Sequence, residues 1–250
     1  MSQSVLDHLP RVIGHRGACG HAPENTLASI RKAAELGTTF IEIDVTLTAD
    51  NIAVIQHDSD VDRCTNGSGP ILLKTLAEIK KLDAGSWFTP EFAGERIPTL
   101  KEATIAIREL SLGLNLEIKP TNGWQIPTAE QVGRELLDYW PADVPLLLSS
   151  FNIEALTAIG SLLPEVPRGY LSVAIPPDWE KRLKEAGCAS LHCEKEYVTK
   201  EKVAAVRSAG YRFLVYTVND VDSAQQFLDW GVDAVITDFP DRLLKGLRSS

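Results

Sequence analysis

The sequence predicts an α/β protein, a closed (β/α)8 TIM barrel with a small inserted subdomain after the second strand. Short apolar runs alternate with amphipathic helical patterns, and eight of these runs have the length of strands. The length of 250 residues fits a single barrel domain, 1–250. A doubly wound open sheet is the structural alternative, but the chain has no GxGxxG turn to support it. The predicted strands are residues 12–14, 39–45, 113–118, 146–149, 169–172, 190–193, 213–217 and 234–237.

The stretches between the predicted strands show helical periodicity and end at glycines. Leu27, Ile30 and Ala34 fall on one helical face, and Gly37 follows as a C-terminal stop. The same pattern recurs at Val203, Val206 and Gly210, and again at Phe227, Leu228 and Gly231. Strands that alternate with helices in this way favour a parallel sheet joined by helical crossovers.

One segment breaks this rhythm after the second strand. Asp50 and Asn51 form a turn signal, and residues 52–56 have the pattern of a hairpin's return strand. Residues from about 58 to 100 then carry several turn signals rich in glycine and proline. This stretch is too long for an ordinary connection between a strand and a helix. We therefore predict that it folds as an insertion over the barrel mouth.

Composition and charge restrict the possible classes of function. Apolar residues make up 44% of the chain and charged residues 24%, which is ordinary for a globular protein with a full core. The formal net charge of -9 lacks the basic footprint of a nucleic-acid-binding protein and opposes docking on an anionic membrane. The apolar runs are too short to span a bilayer. We therefore expect no nucleic-acid partner and no membrane insertion.

The N-terminal residues carry neither the basic region nor the apolar run of a secretory signal. The four cysteines, Cys19, Cys64, Cys188 and Cys193, form no disulfide-dense pattern. We therefore expect reduced thiols and a cytoplasmic location. Cys188, His192 and Cys193 lie close together in the sequence, but a buried strand explains them better than a zinc site, because no second half-site follows.

Polar side chains accumulate where the predicted strands end. In a barrel of this type, catalytic side chains lie at the C-terminal ends of the strands. Glu42 and Asp44 are two residues apart and therefore point to the same face, as do Glu117 and Lys119. Three further polar residues follow the first strand and the hairpin: His15, Arg16 and His57.

Alternation within the second strand separates an apolar face from an acidic one. Ile41, Ile43 and Val45 are expected to face the helices, which leaves Glu42 and Asp44 inside the barrel. Two buried carboxylates are unfavourable unless a positive group meets them. The inward face of this strand therefore predicts a cation.

Glu117 from the adjacent strand would add a third oxygen ligand to Glu42 and Asp44. A set of oxygen donors without sulfur favours a hard divalent cation, Mg²⁺ or Ca²⁺. An internal salt-bridge cluster, neutralised in part by Lys119 and Arg16, is the alternative. The occurrence of such pairs on two neighbouring strands, beside two histidines, favours the metal site.

His15 and His57 are candidates for acid–base catalysis. A lone histidine is usually structural, but two histidines beside a carboxylate cluster suit proton transfer, because imidazole titrates near neutral pH. Cleavage of a phosphodiester needs cations for the phosphoryl oxygens, one group that removes a proton from the nucleophile and one that protonates the leaving alcohol. Phe151 and Tyr216 lie near strand ends, where they would either wall a pocket or belong to the core.

The order of short motifs along the chain carries a family resemblance. The motifs are His15-Arg16-Gly17, Pro23-Glu24-Asn25-Thr26, Glu42-Ile43-Asp44, His57-Asp58, Asp83-Ala84-Gly85-Ser86-Trp87-Phe88, Ile97-Pro98-Thr99-Leu100, Asn115-Leu116-Glu117-Ile118-Lys119, Tyr216-Thr217-Val218-Asn219, Trp230-Gly231-Val232-Asp233 and Thr237-Asp238. Each motif is weak alone, but the ordered set spans nearly the whole chain and is specific. It closely resembles the glycerophosphodiester phosphodiesterase family.

That resemblance implies a barrel with a small subdomain over its mouth. It also implies metal-dependent hydrolysis of glycerophosphodiesters, such as deacylated phospholipids, to sn-glycerol 3-phosphate and an alcohol. In family terms, Glu42, Asp44 and Glu117 would be the metal ligands. His15 and His57 would be the acid–base pair.

The same resemblance implies that Arg16 and Lys119 hold phosphate oxygens, and we predict Phe151 as a third substrate-binding residue. In such enzymes the glycerol 2-hydroxyl can act as first nucleophile, and water then opens the cyclic phosphate. The two histidines would exchange roles between these steps. The chain departs from the family at Asn51, where glycine is common, and at Cys64, where threonine is usual.

Two other classes of function remain as alternatives. One is a related phosphodiesterase barrel that acts on intact or lyso-phospholipids, such as a phospholipase D-like toxin; that class is typically secreted, carries disulfides and lacks the inserted subdomain. The other is a non-catalytic barrel that binds phosphodiesters, which would be expected to have lost a histidine or a carboxylate. The expected partner is a small-molecule glycerophosphodiester, and a homo-oligomer is left open.

Overall fold

A computed structural model describes residues 5–247. It contains one nine-stranded sheet, and eight of its strands are parallel and close into a barrel. Closure occurs where β1 pairs with β9 on one side and with β2 on the other. The strands are β1 (Val12–Gly14), β2 (Phe40–Leu47), β3 (Ala53–Ile55), β4 (Gly113–Ile118), β5 (Leu146–Ser150), β6 (Arg168–Ser172), β7 (Ser190–Glu194), β8 (Arg212–Tyr216) and β9 (Ala234–Thr237). The predicted TIM barrel is confirmed.

Helices follow the parallel strands on the outside of the barrel, except for one short helix, residues Leu76–Ile79, in the segment after β3. They are α1 (Leu27–Glu35), α2 (Leu76–Ile79), α3 (Leu100–Glu109), α4 (Gln125–Tyr139), α5 (Ile153–Leu162), α6 (Trp179–Glu185), α7 (Lys200–Ser208), α8 (Val221–Asp229) and α9 (Pro240–Leu247). Short 3-10 turns occupy Val5–Asp7, Ile71–Leu73, Pro90–Phe92 and Lys195–Tyr197. Within residues 5–247, none of these helices is long and apolar enough to cross a membrane.

The two faces of β2 have the predicted character. Ile41, Ile43 and Val45 are fully buried in the same apolar cluster as residues of α1 and α3. The residues between them, Glu42 and Asp44, are therefore on the inward face. The alternation of side chains along a strand explains this separation.

A separate apolar cluster fills the interior of the barrel below the strand ends. Leu147 and Leu214 belong to it, whereas their strand neighbours belong to the clusters under the helices. Ile13, Phe40 and Ile236 complete this inner layer, and all five side chains are buried. The packed layer blocks the barrel lumen, so a ligand can enter only from the end where the polar side chains lie.

β3 returns antiparallel along the end of β2, as the predicted hairpin requires, and precedes the segment of about 58–100 that was predicted to be inserted. Val45 pairs with Ile55 and Leu47 with Ala53. Asn51 lies in the turn between them at φ 58, in the left-handed region that asparagine tolerates. The segment that follows packs an apolar cluster against Val54 of β3, made of Val61, Ile71, Ile79, Ala84 and Ile97.

The bounds of several strands differ from the predicted ones by one or two residues. β2 continues to Leu47, past the predicted end at residue 45, because its last residues pair with β3. β8 begins at Arg212 and ends at Tyr216, one residue earlier than predicted at each end, in register with β7.

The cluster of Cys188, His192 and Cys193 is buried in and beside β7, as predicted. His192 is 0% exposed, and burial lowers its pKa to about 3. Both cysteines are free thiols.

Candidate active site

Three carboxylates converge on the inward face of two neighbouring strands. Asp44 on β2 lies directly opposite Glu117 on β4, and Glu42 lies two residues before Asp44. The three residues are only 1%, 7% and 3% exposed, respectively. One ligand oxygen from each lies within 4.8 Å of the other two. The geometry is that of a cation site formed by rigid strands.

The carboxylates carry more negative charge than their neighbours neutralise. Burial, together with repulsion from Asp44, raises the pKa of Glu42 well above its ordinary value and that of Glu117 to about 7. Arg16 Nε lies 3.5 Å from Asp44 Oδ2, and Lys119 Nζ lies 3.2 Å from Glu117 Oε1. Among residues 5–247, Glu42 Oε1 is buried and has no hydrogen-bond partner. The oxygen donors and the unmatched charge fit a divalent cation better than a closed salt-bridge cluster.

His15 follows β1 and lies above these carboxylates. Its Nδ1–H donates to Asp238 Oδ1 at 2.6 Å, and its Nε2 lies 4.0 Å from Glu42 Oε2. The backbone N–H of His15 donates to the carbonyl of Thr237 at 2.8 Å, which continues the pairing of β1 with β9. Barrel closure therefore fixes both the backbone and the ring of this histidine.

His57 follows β3 and reaches the same region from the hairpin. Its Nδ1–H donates to Asp58 Oδ1 at 2.6 Å, and its Nε2 accepts from Lys119 Nζ at 3.1 Å. Burial lowers the pKa of His57 below its usual value, and the positive charges of Arg16 and Lys119 lower it further against the opposing effect of Asp44. The lowered pKa favours a neutral imidazole that can accept a proton at neutral pH.

Arg16 lies in a tight loop between β1 and α1, and its φ is 48. The backbone N–H of Arg16 donates to Glu42 Oε2 at 3.0 Å, and its Nη1 donates to Glu24 Oε1 at 2.6 Å. Asn25 from the same loop donates from Nδ2 to Asp44 Oδ2 at 2.8 Å. This loop thus orients two of the three carboxylates and places a guanidinium beside them.

A cavity of about 420 Å³ opens above the carboxylates. Predicted residues in its lining are His15, Arg16, His57, Glu117, Lys119 and Phe151, and Glu194 and Tyr216 from β7 and β8 also contribute. The Phe151 ring is 42% exposed, packs edge-on against Tyr216, and lies 5.6 Å from Lys119 Nζ. Phe151 and Tyr216 therefore wall the cavity.

A family model of the glycerophosphoryl diester phosphodiesterase family matches residues 15–242, which is nearly the whole chain. The chain belongs to this family.

Individual members of the glycerophosphoryl diester phosphodiesterase family match over the full length of the barrel. A glycerophosphodiester phosphodiesterase of Caldanaerobacter subterraneus subsp. tengcongensis is 36% identical, covering 95% of this chain and 97% of the relative. One of Bacillus subtilis (strain 168) is 32% identical, with coverages of 92% and 83%. An Oleispira antarctica phosphodiesterase, solved in complex with the product sn-glycerol-3-phosphate, has a TM-score of 0.96 and 44% identity, with coverages of 98% and 100%. The predicted family and enzyme class are confirmed.

In this member of the glycerophosphoryl diester phosphodiesterase family, the structure brings all eight predicted site residues together at one end of the barrel. Six of them line the cavity, and Glu42 and Asp44 lie directly beneath it, close to His15 and Arg16. The acidic cluster could hold a divalent metal, as was predicted from the spacing of the carboxylates.

Several polar residues that were not predicted from the sequence support this phosphodiesterase site. Asp238 binds the ring of His15, and Asp58 binds the ring of His57. Arg63 joins Asp58 to Glu24 through bonds of 2.7 to 2.8 Å. Asp238 and Asp58 could have been found from the sequence, because Asp238 directly follows a predicted strand and Asp58 directly follows a candidate histidine. Arg63 could not have been found in this way, because it lies in the irregular insertion.

Proposed function

We propose that the protein is a metal-dependent phosphodiesterase that hydrolyses glycerophosphodiesters to sn-glycerol 3-phosphate and an alcohol. One observation carries the proposal: three converging buried carboxylates lie beneath a cavity that two histidines, an arginine and a lysine share. The Oleispira antarctica relative, which was solved with sn-glycerol-3-phosphate, supports the choice of substrate class. Deacylated phospholipids are the expected natural source of such diesters.

Glu42, Asp44 and Glu117 would hold the metal, which we propose to be Mg²⁺ or Ca²⁺. All the ligand atoms are carboxylate oxygens, which these hard cations prefer. When bound, the cation would offset negative charge on the phosphoryl oxygens. The raised pKa values of Glu42 and Glu117 support this assignment, because they reflect burial of the carboxylates and their repulsion by Asp44, both of which a bound cation would offset.

His15 and His57 would move the protons. Each ring has its Nδ1 bound to a carboxylate, so its Nε2 is the nitrogen directed at the substrate; that of His57 accepts a hydrogen bond from Lys119, which also lines the cavity. One imidazole would take the proton of the glycerol 2-hydroxyl as its oxygen attacks phosphorus, and the other would protonate the departing alcohol. Water would then open the cyclic phosphate, with the two histidines in exchanged roles.

Arg16, Lys119 and Phe151 would bind the substrate. The two cations line the cavity close to the carboxylates, where a phosphate would lie between them. The Phe151 ring forms an apolar wall on the side of Tyr216. This wall would contact the carbon atoms of the substrate.

A substrate panel with metal controls tests the proposed activity. Purified protein is incubated with glycerophosphocholine, glycerophosphoethanolamine and glycerophosphoglycerol in Mg²⁺ or Ca²⁺, and glycerol 3-phosphate is detected enzymatically. We expect turnover that EDTA abolishes and that either metal restores. Lysophosphatidylcholine and sphingomyelin serve as competing substrates, and preferential cleavage of either would replace the proposal with a phospholipase activity. No turnover on any diester would leave a binding protein.

Two histidine variants test the proton-transfer roles. His15→Ala and His57→Ala should each lower turnover by roughly 10²–10⁴-fold while the protein stays folded. His21→Ala is a matched control, because His21 also binds a carboxylate, Asp241, at 2.7 Å but does not line the cavity. Wild-type rates in His15→Ala or His57→Ala would remove that residue from the mechanism.

We also propose that residues 1–250 form a single domain in which residues of about 58–100 are an insertion over the barrel mouth. The separate apolar cluster of this segment supports the proposal, as does the pairing of its Arg63 with Glu24 of the loop between β1 and α1. The cytoplasmic location stays a prediction, and a homo-oligomeric state stays open.

A further inference from the structure

Asp238 lies against the side of the His15 ring that faces away from the carboxylate cluster. Asp238 Oδ1 accepts the Nδ1–H of His15 at 2.6 Å, although the two residues are 223 positions apart in the sequence. We propose that Asp238 is a positioning residue: it selects the tautomer and orientation of His15 that present Nε2 to the cavity. This inference rests on the proposed function, in which His15 transfers protons.

Asn219 holds the Asp238 carboxylate in place. Asn219 Nδ2–H donates to Asp238 Oδ2 at 2.7 Å, and the backbone N–H of Asp238 donates to Asn219 Oδ1 at 3.0 Å. Thr237 Oγ1–H also donates to Asn219 Oδ1, at 3.0 Å. Two donors on Oδ1 fix which end of the Asn219 amide is oxygen, so its NH₂ group must face Asp238.

The Asp238 carboxylate therefore acts only as a hydrogen-bond acceptor. Cys19 Sγ–H donates to Asp238 Oδ1 at 2.9 Å, and burial raises the pKa of this thiol, so it stays a donor. Burial raises the pKa of Asp238, but the hydrogen bonds from His15, Cys19 and Asn219 outweigh this effect. The pKa of Asp238 therefore lies below its ordinary value. An ionised carboxylate accepts only, so His15 Nδ1 must carry the hydrogen.

The hydrogen on Nδ1 determines the state of the other ring nitrogen of His15, Nε2. With Nδ1 protonated, Nε2 of the neutral ring has the free lone pair, and it is this atom that lies 4.0 Å from Glu42 Oε2. A proton can then enter and leave only on the side of the cavity and the carboxylates. Without Asp238 the ring would be free to take the other tautomer or to turn.

Asp238→Asn reverses the direction of the hydrogen bond to His15 Nδ1 with little change in the shape of the side chain. Asn219 still presents its NH₂ group, so the introduced amide must turn its oxygen to Asn219 and its own NH₂ group to His15. His15 Nδ1 must then accept, and the hydrogen moves to Nε2. We expect kcat to fall roughly 10²-fold with a much smaller change in KM, because the ring loses its proton-accepting position.

Exchanging the two side chains should recover part of the activity. In the double variant Asp238→Asn/Asn219→Asp, a carboxylate at 219 accepts from the introduced amide, whose oxygen can again face His15 Nδ1–H. We expect kcat at least about 10-fold above that of Asp238→Asn. Urea unfolding of both variants separates this rescue from a purely structural one, because residues in contact are not additive in stability: a recovered kcat without a matching recovery of stability indicates positioning.

Nitrogen-15 NMR of labelled histidine reports the tautomer directly and needs no variant. In the wild type at a pH where His15 is neutral, its Nδ1 should carry the hydrogen, and in Asp238→Asn its Nε2 should carry it. The resonances are assigned with His15→Ala. Asp241→Asn is the matched control, because Asp241 holds His21 in a similar contact outside the cavity and should leave kcat unchanged.

The outcomes separate this inference from the proposed function. If His15→Ala retains full turnover, the role of His15 fails and the proposed mechanism with it. If His15→Ala is inactive but folded Asp238→Asn keeps a kcat within about twofold of wild type, only the positioning role of Asp238 is overturned. A wild-type ring with its hydrogen on Nε2 overturns it as well.

Discussion

Asp44 and Glu117 occupy the same register position on β2 and β4, so their carboxylates lie side by side on the inner wall of the barrel. Two like charges in this position repel each other, and Glu42 adds a third charge to the same face. Hydrogen-bonded strands cannot easily move apart to relieve this repulsion. The repulsion is therefore built into the barrel, and a bound cation is the simplest way to relieve it.

Glu42→Gln removes one proposed ligand charge and keeps the shape of the side chain. We expect the Mg²⁺ dissociation constant to rise at least about 10-fold, because an amide oxygen replaces a carboxylate in the cluster. Isothermal titration of the metal into purified protein measures this constant without relying on turnover.

Glu35→Gln is the control for that substitution, because the Glu35 side chain is 61% exposed and binds Lys32 on the surface of α1. It should leave metal affinity unchanged. If Glu42→Gln binds the metal as the wild type does, Glu42 belongs instead to a salt-bridge cluster with Arg16.

The contribution of Glu117 to the stability of the metal-free protein should fall as pH rises from about 4.5 to 7, and the lowered pKa of buried His192 acts in the opposite direction below pH 6.5. The pKa of Glu117 is raised from 4.5 to about 7 by burial and by repulsion from Asp44, so the folded protein binds more protons than the unfolded chain in this window. The stabilisation is fully present below pH 4.5 and is lost through pH 7, with a size on the order of 3 kcal/mol. Urea unfolding in EDTA at a series of pH values measures it.

Glu117→Gln should remove this contribution, because glutamine does not titrate, so the stability of the variant should fall less, or rise more, with pH than that of the wild type. Glu42 should still contribute in the direction of Glu117, since its pKa is also raised. Saturating Mg²⁺ should remove the contribution of Glu117 from the wild-type curve too, because the cation replaces the protons. Equal slopes for variant and wild type in EDTA would show that Glu117 is compensated by Lys119 alone.

The acidic face of β2 was predictable because strand periodicity is visible in sequence. Ile41 and Ile43 alternate with Glu42 and Asp44, and this alternation alone determines which pair points inward. The grouping with Glu117 followed from expecting the next parallel strand of the barrel to lie beside β2. The fold and the metal cluster could thus be predicted from local pattern and general barrel geometry.

The partners of the two histidines were not predicted, for different physical reasons. Asp238 reaches His15 only because β9 closes against β1, and sequence pattern does not tell which atom a side chain at that seam will meet. Arg63 reaches Asp58 and Glu24 through the packing of an irregular segment without periodicity. Such contacts depend on tertiary packing, which no local pattern encodes.

Arg63→Met should raise the pKa of His57. The guanidinium donates from Nε to Asp58 Oδ2 at 2.7 Å and so offsets the negative charge of the carboxylate that binds His57 Nδ1. Without Arg63, that charge would stabilise the imidazolium more strongly, because an opposite charge nearby favours the charged form. The limb of the kcat/KM pH profile that reports His57 should move up by about 0.5–1 pH unit.

Arg96→Met is the matched control for this shift. Arg96 also lies in the inserted segment, but its bonds go to the backbone carbonyls of Lys81 and Leu82 and not to a carboxylate beside a histidine. Its pH profile should coincide with that of the wild type. A profile of Arg63→Met that coincides as well would mean that Arg63 has no electrostatic effect on His57.

Two glycines with the same backbone conformation but different surroundings provide a test of how the loop after β1 is held. Gly17 has φ +85 and Gly37 has φ +86. A Cβ atom at position 37 would meet nothing within 4 Å, whereas one at position 17 would lie 2.5 Å from Ser29 Oγ and 2.7 Å from the backbone carbon of Ser29. Gly37→Ala should therefore be destabilising by about 1 kcal/mol, from the left-handed backbone alone.

Gly17→Ala should lower the free energy of unfolding by about 3 kcal/mol or more, because the same backbone strain is joined by a clash with α1. It should also reduce turnover. Ser29 Oγ–H donates to the carbonyl of Arg16 at 2.7 Å and accepts from Ala18 N–H at 2.9 Å, so moving Ser29 moves the loop that carries Arg16. Urea unfolding and turnover of the two variants are compared under identical conditions. Equal losses of stability in Gly17→Ala and Gly37→Ala would show that contact with Ser29 does not fix this loop.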